Sequence, residues 1–173
     1  MVDISIVGKT SIKIKGKLAT FVVDPSKEMT KTQADAIILL NGVTNIDKSR
    51  VVDSRIIIQG AGGYEVGGVK ISGTTTPKGI LYKLLIDGIS VILGRTTDAK
   101  TEGFSACQIA IINADDEFNE SFVAAGESKI TVIYGTSKIE AAKTLGVEGA
   151  TLVPKITITK DKLPEKMEIV VLG

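Results

Sequence analysis

Short aliphatic runs rich in β-branched residues recur from end to end of this chain, each bounded by Gly, Asp, Asn or Pro. They predict strands over Ile4–Val7, Ser11–Lys15, Ala19–Val23, Ala36–Leu40, Arg55–Gln59, Tyr64–Ile71, Ile80–Ile86 and Ile89–Leu93, and later over Gln108–Asn113, Lys129–Tyr134, Thr151–Thr159 and Glu168–Leu172. Within Ser11-Ile12-Lys13-Ile14-Lys15 the alternation is strict, so Ile12 and Ile14 face a core and the lysines face water. Ala36–Leu40 and Ile109–Ile112 are apolar on both faces, the pattern of central strands covered by helices on their outer side. Lys15-Gly16-Lys17 and Asp87-Gly88 lie between apolar segments and mark tight hairpins.

Helix signals are fewer. Ser137-Lys138-Ile139-Glu140 reads as a capping box opening a short helix that Gly146 closes. Asp115–Ala125, acidic in its first turn and followed by Gly126, predicts a second helix, and Asp47–Asp53 a weaker third. So many strands in one chain require packed sheets. The expected fold class is α/β (α+β): a four-layer αββα sandwich of two mixed β-sheets with helices on the outer faces, formed by one domain over residues 1–173.

Composition narrows the function classes. Hydrophobic residues make up 43% and charged residues 24%, as in a globular protein. The formal charge is +1, from 21 Lys and Arg against 20 Asp and Glu, so no net field draws in nucleic acid or an anionic membrane, and neither is an expected partner. The one cysteine excludes an internal disulfide, and the opening Met-Val-Asp lacks a signal-peptide pattern, which makes the cytoplasm the expected location. The apolar runs are far short of the roughly 20 residues that cross a bilayer.

The order of segments resembles the metallo-β-lactamase fold, in particular the compact branch described as Zn-dependent hydrolases of the β-lactamase fold. Ile6-Val7-Gly8-Lys9-Thr10-Ser11 is similar to that branch's opening Leu-Gly-His-Ser, Lys15-Gly16-Lys17 and Asp24-Pro25 to its hairpin and Asp-Pro turn, and Ala34-Asp35 to the segment leading into the metal motif. Gly62–Val69 resembles its Pro-Gly-Glu-Tyr-Glu-Val stretch, Leu81–Ile86 with Asp87-Gly88-Ile89 and Leu93-Gly94 its next hairpin, and Leu152–Thr159 with Leu163-Pro164-Glu165 its C-terminal strands. Each piece is common by itself; their shared order is the specific part.

The resemblance implies zinc chemistry that this chain is poorly equipped to perform. Zinc sites are built mainly from imidazole and thiolate, and this sequence has no His and a single Cys. Where the branch has His-x-His-x-Asp-His, alignment places Asn41, Val43, Asn45 and Ile46; its bridging Asp becomes Arg95, its last His Gly135, and its non-ligand His Lys9. A guanidinium in the place of a ligand repels a dication and is able to substitute for its charge. Arg95 then pairs with Asp98, Asp115 or Asp116, holds an anion, or is a solvated loop residue.

Other candidate chemistry is weaker. Cys107 precedes an apolar strand and has no histidine to activate it, so it reads as a packed core residue. Asp115-Asp116-Glu117 is either a divalent-cation cluster or, more commonly, the acids of a helix start. Gly60-Ala61-Gly62-Gly63 and Gly67-Gly68 lack the Lys-Ser/Thr and the following helix of a phosphate loop. Lys9 with Ser11 or Ser72 is a conceivable Ser–Lys pair that nothing brings together.

The expected protein is therefore a non-catalytic scaffold or interaction protein with no catalytic residue, metal or cofactor. It self-associates or binds a protein partner, with Phe118, Phe122 and Val123 as one possible contact face. The alternatives are a module whose former cleft, around Asn41, Asn45, Arg95 and Gly135, takes a small anionic ligand, and an enzyme with non-standard metal ligands.

Overall fold

The computed structural model describes residues 1–41, 45–77, 79–96, 107–115 and 128–173. In chain order the first strands are β1 (Val2–Ile6), β2 (Ile12–Lys15), β3 (Thr20–Val23), β4 (Thr32–Gln33), β5 (Ala36–Ile38), β6 (Val51–Val52) and β7 (Ile56–Ile58). Then come β8 (Gly62–Val66), β9 (Val69–Thr75), β10 (Ile80–Ile86), β11 (Ile89–Arg95), β12 (Ile109–Asn113) and β13 (Ile130–Tyr134). A single described α-helix, α1 (Lys138–Thr144), precedes β14 (Leu152–Val153), β15 (Lys155–Ile158) and β16 (Glu168–Leu172).

Two large sheets form. One has six strands in the order β15-β1-β2-β3-β5-β7, the other eight in the order β14-β16-β13-β12-β11-β10-β9-β8, and β4 pairs with β6 separately. Both are mixed: β3, β5 and β7 run parallel in the first, and β11, β12, β13 and β16 in the second. The alternation within β2 and β10 sends Ile12, Ile14, Tyr82, Leu84 and Ile86 into one apolar core shared by the sheets.

The expected four-layer αββα sandwich is corrected here: the protein is mostly β, with one α-helix among the described residues. Strands apolar on both faces do not require helices above them. Outward-facing Val22, Ile37 and Leu39 of the six-stranded sheet are covered by Met29, Ala34 and Val51, from loops and the short β6. Helix α1 covers part of the other sheet, with Ala141 and Ala142 packed on Ile133 and Val171. Of the two further expected helices, Asp47–Asp53 is instead a 3-10 turn over Lys48–Arg50, capped by Asp47, followed by β6. Asp115–Ala125 falls outside the described residues beyond Asp115.

Two expected strands are each two strands. Gly67 and Gly68, both with positive φ, turn Tyr64–Ile71 into the β8–β9 hairpin, which settles these glycines as turn residues. Pro154 divides Thr151–Thr159 so that β14 joins one sheet and β15 the other; its carbonyl accepts from the Ile6 amide at 3.0 Å. Asp87 and Gly88 have the positive φ of a primed hairpin turn, as the Asp-Gly pair predicts. The helix ends in a Schellman motif, with Gly146 N–H bonded to Lys143 O and Val147 N–H to Ala142 O, although the Ser137 side chain makes no capping bond at its start.

Candidate functional site

The parallel strands place their C-terminal ends at one rim of the molecule, where Asp24 follows β3, Asn41 follows β5, Arg95 ends β11, Asn113 ends β12 and Gly135 follows β13. Strand ends of this kind are where open mixed sheets present polar groups to ligands. Arg95 is 6% exposed and donates through Nη1 to the backbone carbonyl of Asn41 at 3.3 Å, linking the two sheets. Asn41 itself has a φ of 61°, and its carboxamide oxygen accepts from Gln59 Nε2 at 3.3 Å.

Of the residues singled out in the sequence, Arg95 and Asn41 are thus brought together, through a backbone carbonyl. Asn45 is exposed, with positive φ, and has no described bond to Arg95. Gly135 is buried with a φ of 110°, and a Cβ there would lie 2.7 Å from Asp115 Oδ1. Val43, Asp98, Asp116 and Glu117, and the face of Phe118, Phe122 and Val123, lie outside the described residues. Ile46 packs on the outer apolar cluster of the six-stranded sheet. Cys107 is buried, and burial pushes its thiol up to about 11, which is a core residue's environment. Ser11 is buried and donates to the Asp24 carbonyl at 2.7 Å, so its hydroxyl is engaged in holding the chain.

The cluster's interior joins Asp115, a candidate from the sequence, to Asp24, Asn113, Tyr134 and Tyr82, to which the sequence reading gave no chemical role. Asp24 is 1% exposed; its Oδ1 accepts from the Leu40 amide at 3.0 Å, while Oδ2 has no hydrogen-bond partner among the described residues. Burial raises its pKa to about 7, against the opposing pull of the Leu40 amide and the Arg95 charge, with Asp115 adding to the rise. Tyr134 is fully buried, and desolvation together with the Asp24 charge lifts its phenol well above the ordinary value, the Asn113 amide and Arg95 opposing. Asn113, also buried, donates to Asp115 Oδ2 at 3.0 Å, and Asp115 Oδ1 accepts from the Thr136 amide at 2.8 Å, tying the ends of β12 and β13 together. Below them, Tyr82 donates to the Leu39 carbonyl and accepts from the Gly60 amide, both at 3.0 Å, which bridges the sheets a second time.

The signals for Asp24 and Asn113 were present: each is a polar residue directly after a run of apolar strand positions, Phe21-Val22-Val23 and Ile109–Ile112. Such a residue lies at the strand end, near the parallel neighbours' ends. Nothing in the pattern alone separates it from a solvated turn residue.

This donor set does not fit zinc. Among the described residues no group of three His, Cys, Asp or Glu could hold a metal ion. Of the described carboxylates at this rim, Asp115 has both oxygens engaged, with Asn113 and Thr136, and Asp24 has one engaged with the Leu40 amide, which leaves a single carboxylate oxygen, Asp24 Oδ2, for a metal. A guanidinium fixed among them opposes a dication.

No protein-family model matches the chain, and no curated protein matches it. Solved structures do. The chain is similar to a candidate Zn-dependent hydrolase of the metallo-β-lactamase superfamily from Thermotoga maritima, at 16% identity and a TM-score of 0.74 over 99% of each chain. It is similar to a candidate metal-dependent hydrolase from Parabacteroides distasonis at 16% identity and TM-score 0.60, covering 99% of this chain and 94% of that one. A third, from Veillonella parvula, matches at 12% identity and TM-score 0.61 over 91% of this chain and all of the other, a coverage of 100%. Likeness at such identities establishes a shared fold. The chemistry is a separate question, decided by the residues at the strand ends. No described helix is long and apolar enough to cross a membrane.

Proposed function

We propose that this chain is a non-catalytic member of the metallo-β-lactamase fold, one that keeps the two-sheet scaffold and works by binding. The observation that carries the reading is Arg95: a buried guanidinium held on the Asn41 carbonyl, at the position where the resemblance expects a bridging metal ligand. A fixed cation there supplies the positive charge that balances Asp24 and leaves no electrostatic reason to recruit zinc. The absence of His from the whole sequence supports it independently.

The test is elemental analysis of untagged protein together with turnover of generic phosphodiester, ester and β-lactam substrates. A purification tag of histidines would itself supply ligands. Substoichiometric zinc and no turnover after zinc addition are expected; stoichiometric zinc with turnover overturns the reading in favour of the metal-dependent hydrolysis attributed to the structural neighbours.

One observation favours a second reading, a small polar ligand in the former cleft. Asp24 Oδ2 is buried without a partner in the same inter-sheet space as Arg95 and Tyr134, and buried polar atoms of this kind usually meet a water or a ligand.

A further inference from the structure

Charge in this chain is nearly balanced, 21 basic against 20 acidic residues, so a place where one sign collects is informative. Such a place lies at the same rim, between the turn after β1, the loop before β4, the start of α1 and the end of β16. It is a cavity of about 550 Å³ lined by Lys9, Lys31 and Lys138 with Thr30, Thr32 and Gly173; no acidic side chain is among its described lining residues, and the carboxylate that Gly173 carries beside Lys138 is outnumbered by the three lysines. None of the three lysines has an ion pair among the described residues. Lys13, from the neighbouring strand, approaches the same edge and donates to Thr32 Oγ1 at 3.0 Å.

The lysines come from segments far apart in sequence, so their convergence is a property of the fold. Like charges gathered around a concavity repel one another and contribute nothing to stability by themselves. A ligand carrying several negative charges removes that repulsion, and the threonine hydroxyls add hydrogen-bond donors that an oxyanion accepts. The cavity is within the size range of small-molecule sites, too large for a single phosphate and sufficient for a compact ligand with several anionic groups. A second cavity, of about 470 Å³, provides the contrast: there Lys13, Lys15 and Arg55 share the lining with Asp35 and Asp53, which offset most of the positive charge.

We infer that the Lys9–Lys31–Lys138 cavity binds a small multivalent oxyanion, bearing either phosphoryl or carboxylate groups. The inference goes beyond the proposed loss of hydrolysis, because none of its residues belongs to the Asp24–Arg95 cluster, and binding is read out separately from metal content or turnover.

The experiment is calorimetric titration of the untagged protein with inorganic tripolyphosphate and, separately, with citrate, at low and at physiological ionic strength. Saturable binding of one ligand per chain is expected for at least one probe, weakening as salt rises. Binding of tripolyphosphate alone assigns phosphoryl chemistry, and of citrate alone carboxylate chemistry. The variant K9Q/K31Q/K138Q is expected to weaken binding at least tenfold, K9R/K31R/K138R to retain it, and K15Q/R55Q, in the second cavity, to leave it unchanged. Thermal melts of each variant confirm that the fold is intact. No saturable binding of either probe at millimolar concentration, or equal weakening by K9Q/K31Q/K138Q and K15Q/R55Q, overturns the inference.

Discussion

Arg95 Nη1 lies 3.3 Å from the carbonyl oxygen of Asn41, and this bond joins the end of β11 in the eight-stranded sheet to the end of β5 in the six-stranded one. The guanidinium is buried and acts on Asp24, opposing the rise in that carboxyl's pKa. Arg95→Met removes the bond and the charge while keeping much of the apolar stem. A loss of about 1.5–3 kcal/mol is expected, the range for a hydrogen bond to a charged group. Urea unfolding at pH 5 and pH 8 reads it. The loss is expected to be larger at pH 8, where Asp24 is ionised and the cation matters most; equal losses at both values would show that Arg95 does not compensate Asp24.

Asp24 gives stability a distinctive pH dependence. Its folded pKa is raised from 3.8 to about 7, so between those values the folded chain keeps a proton that the unfolded chain has released. Stability contributed by this group is therefore full below about pH 4, falls as pH rises to about 7 and is level above it, by an amount on the order of a few kcal/mol. Asp24→Asn keeps an oxygen for the Leu40 amide and cannot ionise. The difference in melting temperature between variant and parent is expected to grow in favour of the variant from pH 5 to pH 8. A difference that stays constant across that range would place the titration elsewhere.

Gly135 combines a φ of 110° with close neighbours, since a Cβ would sit 2.7 Å from Asp115 Oδ1 and about 3 Å from the Ala114 backbone. Gly135→Ala is expected to cost about 2 kcal/mol or more, from backbone strain plus displacement of the Asp115 bonds that tie β12 to β13. Gly62→Ala is the matched control, with a φ of 128° and no atom within 4 Å of the added Cβ, and is expected to cost only the backbone strain. Denaturant midpoints of the two variants separate the steric part from the conformational part.

Cys107 is 2% exposed and its thiol is raised to about 11, burial being the main cause. At pH 8 the native protein is expected to resist a thiol-specific disulfide reagent for hours while the urea-unfolded chain reacts within minutes. Rapid reaction of the native protein would mark Cys107 as accessible and reopen it as a functional residue.

Most of the strands were legible from local pattern, because alternation such as Ile12-Lys13-Ile14 and turn pairs such as Asp87-Gly88 act locally, through side-chain direction and backbone φ. The order of those segments was enough to suggest the fold that the solved structures share, and the missing histidines follow from composition alone. The layers were decided only in three dimensions. Two-sided apolar strands demand a cover, but whether a helix or loop residues such as Met29 and Val51 supply it depends on contacts between distant segments. The same holds for the cluster at the strand ends. Asp24 looks like an ordinary turn residue in the sequence and Asn113 like the polar end of a strand, and they become buried polar neighbours of Arg95 and Tyr134 because parallel strands bring their ends to one rim. The three lysines converge for the same reason: Lys9, Lys31 and Lys138 are far apart along the chain, and only the closing of the sheets places them around one cavity.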